Sequence, residues 1–308
     1  MIYVVIAVKN RLSFTRRCLA ALAAQNCADV TTIVVDDGST DGTLEALPRD
    51  FPSVILLKGD GDLWWTAATN RAVAWALERA IDDDYVLTLN NDTSFDADYL
   101  DNLLTAAEEN RPALIGSLAV DPDRGVVVEG GVRVNWLTAK KLVLARGVSL
   151  ADLALWRPPP VAVDVLPGRG TLIPVSAFRS VGLYDATSLP HYGADYEFSR
   201  RAASSGYRLL VSYRAVLRVN PDKTGLHASH GPWAFLASFA TRRSANELGH
   251  RWRYARLVCP RSTVVPYAVM DTLRVVVGGF RRQVLASPGG GGAGVHSAAA
   301  AQEPGTEG

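Results

Sequence analysis

The chain has 308 residues, 48% of them apolar, and its 32 Lys and Arg against 31 Asp and Glu leave a net charge of +1. That length and apolar content bury a substantial core, as one large domain or two small ones. The balanced charge gives no support for a nucleic-acid partner or a polyanion scaffold, so any basic surface has to be local.

Cys18, Cys27 and Cys259 are too few and too scattered for a disulfide framework, and none forms a CxxC pair. A reducing cytoplasm is the expected location. Residues 1–8 are apolar but lack a basic n-region and a cleavage site, and Lys9, Asn10 and Arg11 follow at once, so they read as a first buried strand rather than a signal peptide. The best candidate for a membrane span, 264–280, is interrupted by Asp271 and Arg274, and no span is expected.

Strand-like runs at 2–8, 31–36, 54–57, 85–89 and 113–118 alternate with helix-like ones, the pattern of a mostly parallel sheet covered by helices. Ser13 is the expected N-cap of a helix burying Phe14, Cys18, Leu19 and Leu22. A second helix is expected at 66–80, with Ala72, Val73, Ala76 and Leu77 inward, and a third at 97–110. After Asp121 the runs VVVEGGVRV, KKLVLARG and VAVDVLPGRGTLIP read as shorter strands forming an antiparallel extension of the same sheet. A helix is expected from near Asp195 to Gly206, a C′ glycine, before RLLVSYRAVLRV returns as a strand. One continuous domain is expected over 1–230, a helical basic segment over 231–286, and a disordered low-complexity tail over 287–308.

Three acidic clusters end apolar runs: VVDDGSTDGT, LTLNNDTSF and HYGADYEFSRRA. Open sheets bind ligands at the carboxyl ends of their strands. In the first cluster, Asp36 or Asp37 can accept the N3 hydrogen of uracil or thymine, a donor cytosine lacks at that atom; the competing reading is a turn whose aspartates cap the next helix. In the second, Asn90, Asn91 and Asp92 offer oxygen ligands of the kind Mg²⁺ and Mn²⁺ prefer beside substrate phosphates, and Asp92 is the candidate ligand. Here the competing reading is an ordinary loop with Asp as cap. In the third, Asp195 and Glu197 open a helix. A carboxylate that takes the proton of a sugar hydroxyl contributes about 10² to 10⁴ in rate, and Asp195 is the candidate base. A capping role paired with Arg200 is the alternative for either acid.

In order, spacing and strand-end placement these motifs resemble glycosyltransferase family 2, of the GT-A fold, over about residues 2–226. The resemblance rests on VVIAVKNR at the first strand, the DDGS turn, LNNDT in place of the family's metal-binding DxD, and ADYEFSRRA in place of its ED helix start. It implies a nucleotide-binding half over about 1–120 and an acceptor half over about 121–230. It implies Val8, Asn10, Asp36, Asp37, Asn70, Arg71, Asn90 and Asn91 around a nucleotide sugar, Asp92 on the metal, and Asp195 as the base of an inverting transfer. Asn90 departs from the first acid of the DxD, and Ala194 from the Glu usual before the base.

Within that family, GDGDLWWTAATNRAV and LPGRGTLIPVSAF are similar to a rhamnosyltransferase-like branch that builds bacterial cell-surface polysaccharides. Trp64 and Trp65 offer faces for a sugar, with at most one expected toward the site if they lie in a strand or loop. Asn70 and Arg71 are expected to open the following helix, with Arg71 in reach of a diphosphate. Gly168 and Gly170 would let backbone approach a ligand, with Arg169 as a phosphate contact or the whole as a plain glycine turn. Glu197 is placed on the acceptor side, and His227 is carried as a second metal ligand against the more frequent surface histidine.

Residues 242–261 hold six arginines, Trp252 and Tyr254, with Glu247 as the only acid. That composition suits peripheral contact with an anionic membrane at the inner face of the cell membrane, or a solvated helix face. The expectation is an inverting glycosyltransferase using a UDP- or dTDP-sugar, Mg²⁺ or Mn²⁺, and a saccharide or lipid-linked saccharide acceptor. The alternative is a non-catalytic nucleotide-sugar or carbohydrate-binding subunit of the same fold. Sugar-phosphate nucleotidyltransferases, which need a Gly-rich loop after the first strand, are disfavoured by KNRLSFTRR.

Overall fold

Side chains of β1 (Ile2–Val8) alternate between two hydrophobic layers: Tyr3 and Val5 enter one, while Ile2, Val4, Ile6 and Val8 enter the other. A strand buried on both faces belongs inside a sheet covered by helices. The computed structural model, which describes residues 1–27, 29–156, 158–219, 235, 238–239 and 247–285, places it there. β1 pairs in parallel with β2 (Val30–Asp36) on one side and β4 (Tyr85–Asn90) on the other, and β3 (Ile55–Lys58) extends the sheet beyond β2. Beyond β4 comes β11 (Thr171–Pro174), antiparallel to both β4 and β6 (Ala113–Asp121), and then β12 (Arg208–Val219), parallel to β6.

The antiparallel extension is built from short pieces. β5 (Thr93–Phe95) and β10 (Val161–Ala162) pair with β12, and β7 (Val126–Glu129) pairs with β6. β8 (Val132–Asn135) and β9 (Lys140–Val143) form a separate hairpin. The result is a mixed α/β fold with a large, mostly parallel sheet, a small antiparallel sheet and a helical C-terminus.

Helices cover both faces. On one, α1 (Leu12–Ala23) and α4 (Tyr99–Glu108) bury Cys18, Leu19, Leu100 and Leu103, and α2 (Thr43–Asp50) adds Leu47. On the other, α3 (Trp64–Leu77) lies over β1 and β2 with Ala68, Ala72, Val73 and Ala76 in the core. α5 (Leu150–Trp156) packs Leu153 beside β6 and β7, and α6 (Val175–Val181) and α7 (Ala194–Ser204) complete the second layer with Phe178 and Phe198. Two further helices, α8 (Leu248–Val258) and α9 (Val264–Leu285), add Tyr254, Val258 and Tyr267 to the same layer. The tail 287–308 lies outside the described residues.

Two local expectations are corrected. Ser13 is not a cap: α1 starts at Leu12, whose N–H is taken by Asp41 of the neighbouring loop at 2.8 Å, so a long-range carboxylate does the capping. Phe14 is half-buried under Arg11 and Arg17, whose guanidinium carbons stand 5.7 and 4.6 Å from its ring centre. Gly206, at φ +97°, follows the end of α7 as expected of a C′ glycine.

The register decides where a site can form. Val8 is level with Asp36, and Ala7 with Asn90. The loops leaving β1, β2 and β4 therefore emerge side by side, at the point where β2 and β4 depart to opposite sides of β1.

Candidate active site

At those strand ends a cleft of about 550 Å³ opens. Ala7, Val8, Lys9 and Arg11 line it from the end of β1, Asp37 from β2, and Asn90, Asn91 and Asp92 from β4. The remaining wall is Gly61, Asp62, Trp64, Trp65 and Ala68 from the start of α3, with His191 and Tyr192 from the loop before α7. Desolvation against that wall lowers the His191 imidazole below its ordinary value.

The cleft is braced by its own polar groups. Asp37 is buried, and its carboxylate accepts the backbone N–H groups of Gly61, Leu63 and Trp64 at 2.9, 3.1 and 3.2 Å. Those bonds hold Trp64 at φ +60°, a costly backbone region for a bulky residue, while its indole N–H donates to Asp62 at 2.8 Å. Asn10, also at positive φ, ties the β1 loop to the β2 loop, donating its N–H to Ser39 and accepting from the Thr40 N–H at 2.7 Å. Lys9 Nζ bonds the Gly61 carbonyl, and Arg11 pairs with Asp92 at 2.9 Å. Because Trp64 and Trp65 begin a helix rather than sit in a strand, both border the cleft.

Asp36 does not reach the lining. It is 1% exposed and its carboxylate takes the Ser39 hydroxyl and N–H, so of the two aspartates Asp37 is the one that meets the cleft.

Asp195, expected at the same cleft, is not among the residues that line it; it sits behind Trp65. Gly193, at φ +81°, opens α7 with its α-carbon against the Tyr254 ring, leaving no room for a side chain. Asp195 then receives the Gly168 N–H at 2.8 Å and the Tyr196 N–H at 2.9 Å. A Cβ on Gly168 would overlap the Trp65 indole, so the order from cleft to carboxylate is Trp65, Gly168, Asp195. Burial raises the Asp195 pKa, opposed by those two N–H groups and by the Lys141 ammonium. Ala194 faces the core, so position 194 adds no second acid beside it.

With that geometry in place, comparison with known proteins is direct. The family model for glycosyl transferase family 2 matches residues 3–136, and that for glycosyl transferase family group 2 matches 85–282. N-acetylglucosaminyl-diphospho-decaprenol L-rhamnosyltransferase of Mycobacterium tuberculosis, in two strains, is 30% identical over 241 residues, 70% of this chain and 75% of the relative. The chain belongs to glycosyltransferase family 2.

Among solved structures, the mannosyltransferase PcManGT of Pyrobaculum calidifontis, in complex with GDP-Man and Mn²⁺, has a TM-score of 0.56 at 16% identity, over 93% of this chain and 75% of that one. S. aureus TarS 1-349 has a TM-score of 0.52 at 13% identity, over 91% of each. These likenesses establish the GT-A fold of this rhamnosyltransferase-like glycosyltransferase.

Several residues expected at the site of this glycosyltransferase are occupied elsewhere. Asn70 and Arg71 do not open a helix: α3 starts six residues before Asn70 because Asp37 caps it at Trp64. The Asn70 amide clasps Tyr184, donating to its carbonyl at 2.8 Å and accepting its N–H at 3.0 Å, and Arg71 is exposed mid-helix. Glu197 is buried and paired with Arg201 rather than Arg200, at 2.5 and 2.9 Å. Arg201 also donates to the carbonyls of Val181 and Leu183, so this pair anchors the α6–α7 loop. Arg169 pairs with Glu129 at 3.3 Å, and Gly170 gives its N–H to Thr88 at 2.8 Å. His227 lies outside the described residues.

For a metal, the cleft offers Asp92 with the amides of Asn90 and Asn91. Among the described residues no three His, Cys, Asp or Glu gather into a cage. That donor set fits a hard cation held mainly by substrate phosphate oxygens. The Asn91 amide is already tied by its nitrogen to Thr15 at 2.9 Å.

Polar and aromatic lining residues not predicted as site residues from sequence are Lys9, Arg11, Asp62, His191 and Tyr192. The first two stood inside the VVIAVKNR motif and carry a readable charge signal. The others arrive through loop packing.

Proposed function

We propose that this glycosyltransferase moves a deoxyhexose of the rhamnose type from a dTDP- or UDP-sugar to a saccharide carried on a lipid diphosphate, with inversion and with Asp195 as general base. The observation that carries the reading is the relation of Asp195 to the cleft. A carboxylate made more basic by burial is positioned by two backbone N–H groups, one of them from Gly168, which packs against the Trp65 indole that lines the cleft. The name of the 30% identical relative supports the acceptor class.

In this reading the donor occupies the cleft and the acceptor approaches from the Asp195 side. The acceptor hydroxyl gives its proton to Asp195 as its oxygen bonds the anomeric carbon, and the bond from that carbon to the diphosphate oxygen breaks on the opposite face. One displacement inverts the centre. Lys9 and Arg11 place positive charge in the cleft where the diphosphate collects its negative charge. Asp37 has lone pairs left after its three backbone bonds to take the N3 hydrogen of uracil or thymine. Mg²⁺ or Mn²⁺ bound at Asp92 would supply Lewis-acid neutralisation of the leaving group.

A lipid-borne acceptor requires the enzyme to meet a membrane. No helix among the described residues is long and apolar enough to cross one. α9 instead exposes Val265, Val269, Leu273, Val276 and Val277, and α8 exposes Leu248, Trp252 and Leu257. Exposed Arg253, Arg256, Arg261 and Arg274 accompany them. Apolar residues flanked by arginine suit an anionic leaflet, and this contact extends the expected segment 242–261 onto α9. Co-sedimentation with phosphatidylglycerol vesicles reads it: Val269→Asp with Leu273→Asp should release the protein, and unchanged sedimentation counts against it.

The function is tested by a screen of nucleotide sugars with Mn²⁺, read first as a rise in Tm and then as transfer to a short-chain N-acetylglucosaminyl diphosphate lipid. A rise with dTDP- or UDP-sugars and transfer that Asp195→Asn abolishes is the expected result. Donor binding without transfer to any acceptor would favour the non-catalytic subunit.

A further inference from the structure

The β8–β9 hairpin stands apart from the large sheet and has two unlike faces. Val132 and Val134 are buried in the core, and across the pair they meet Val143 and Lys141. The residues between them form the outer face, where Arg133 is opposite Leu142 and Asn135 is opposite Lys140, all four exposed. Residues 132–143 hold Arg133, Lys140 and Lys141 and no acid. A hairpin with one face in the core is expected to be polar on the other. Here Leu142 is 55% exposed and Leu137, in the turn, 59%.

The turn is built to hold Leu137 outward. Trp136 packs on the Tyr267 ring of α9, with 5.9 Å between ring centres. The Asn135 side-chain oxygen accepts the N–H groups of Leu137 and Thr138 at 3.1 and 2.9 Å, and the Thr138 carbonyl accepts from Arg274 Nε at 2.8 Å. Ala139 follows at φ +53° and is buried, in a backbone region that residues other than glycine seldom occupy. Unbonded amides are what make leaving water expensive, and a tip with these groups already bonded leaves it at lower cost.

The bond from Arg274 also sets where the tip lies. On α9, Leu273 precedes Arg274 and Val277 follows it by one turn, and these are 50% and 49% exposed. Leu137 therefore extends the apolar face of α9 rather than forming a separate patch. The hairpin is on the Asp195 side of the molecule: the Lys141 ammonium stands 5.0 Å from the Tyr196 ring and acts electrostatically on Asp195.

We propose that the β8–β9 hairpin is a second membrane-docking element, with Leu137 and Leu142 entering the headgroup boundary of an anionic leaflet beside α9 and Arg133 and Lys140 meeting lipid phosphates. Exposed leucines flanked by cations and no acid match that surface. A second copy of this chain meeting the same face about a two-fold axis would set cation against cation. The inference rests on the membrane contact proposed above and adds what one helix cannot supply. A helix lying on a leaflet can roll about its axis, whereas a second point of contact fixes the face presented and turns the Asp195 side toward the lipid.

The test uses the full chain with vesicles of phosphatidylglycerol or of phosphatidylcholine. Leu137→Asp with Leu142→Asp should lower partitioning onto phosphatidylglycerol by about tenfold, with the melting curve of the wild type, since both side chains are exposed. Insertion is read separately from an environment-sensitive dye on Leu137→Cys in a Cys27→Ser background, Cys18 and Cys259 being buried. Its emission should shift to the blue with phosphatidylglycerol and not with phosphatidylcholine. The same dye on Ile81→Cys, a residue 64% exposed whose N–H bonds Asp84 near the amino terminus, should not shift. If the Leu137 and Leu142 variant sediments like the wild type while Val269→Asp with Leu273→Asp is released, the hairpin role is overturned and the α9 contact stands. A wild type that does not sediment defeats the membrane reading and the hairpin with it. An equal shift at Ile81, or a blue shift at Leu137→Cys that grows with protein concentration in the absence of vesicles, also overturns the proposal, the latter by assigning the face to a second copy.

Discussion

The two sides of the Trp65 indole are built on opposite plans. In the cleft, the polar groups at the strand ends answer one another: Asp37 takes three backbone N–H groups, Asp36 takes Ser39, Asn10 clasps the next loop and Arg11 pairs with Asp92. Beyond Gly168, among the described residues, Glu129 Oε1 and the Tyr254 hydroxyl are buried without a partner in reach of a carboxylate whose pKa is raised. A surface that satisfies itself is rigid before any ligand arrives and offers charge and shape. One that does not is paid for by the rest of the fold, and such strain is a property of functional sites.

The contrast is tested hardest at Asp195. Asp195→Asn leaves both backbone bonds a partial acceptor but removes the base, and should lower kcat for transfer by about 10² to 10⁴, with the Tm increase caused by donor binding unchanged. The pH profile gives an independent check. A base acts ionised, and burial raises the Asp195 pKa above its ordinary 3.8, so activity should be fully present above the raised value and fall as pH drops through it. The acid limb of kcat/KM should therefore lie above the range of an exposed aspartate, burial outweighing the Gly168 and Tyr196 N–H groups and the Lys141 ammonium. Near-normal turnover in Asp195→Asn would remove this residue from the chemistry.

The same contrast explains what could be read from the residues in order. β1 to β4, β6 and the alternation with helices follow from apolar runs, whereas the cleft forms where β2 and β4 lie on opposite sides of β1, both parallel to it, an order of strands that apolar runs do not report. Asp37 and Asp92 were readable because they directly follow strands. Asn70 and Arg71 were misplaced because the start of α3 is set by Asp37, 27 residues before Trp64, and local capping signals do not report a cap from so far away. Glu197 was misassigned because an acid in the first turn of a helix looks alike whether it faces a ligand or, as here, an arginine one turn on. The surroundings of Asp195 were the least legible part: Glu129, Lys141, Gly168, Asp195 and Tyr254 come from separate segments, and their meeting depends on strands pairing out of chain order.

A smaller effect is expected at Asp37. It is 4% exposed, and Asp37→Ala would strand the N–H groups of Gly61, Leu63 and Trp64 while releasing the strained Trp64 backbone. With water able to reach part of this loop, a loss of about 2–3 kcal/mol is expected in urea denaturation, less than the sum for three fully orphaned donors. A loss near zero would mean that the cleft is not braced in the way its bonds imply.

Tyr254→Phe is the smallest change and the sharpest discriminator. Removing a satisfied buried hydroxyl costs stability, but the Tyr254 hydroxyl has no partner among the described residues, and deleting it relieves a desolvation penalty with almost no change in packing. The variant should be as stable as the wild type or more so, by up to about 1 kcal/mol in urea denaturation. If Tyr254→Phe instead lost stability, the hydroxyl would have a partner in solution, and the difference between the two sides of Trp65 would narrow to one of charge alone.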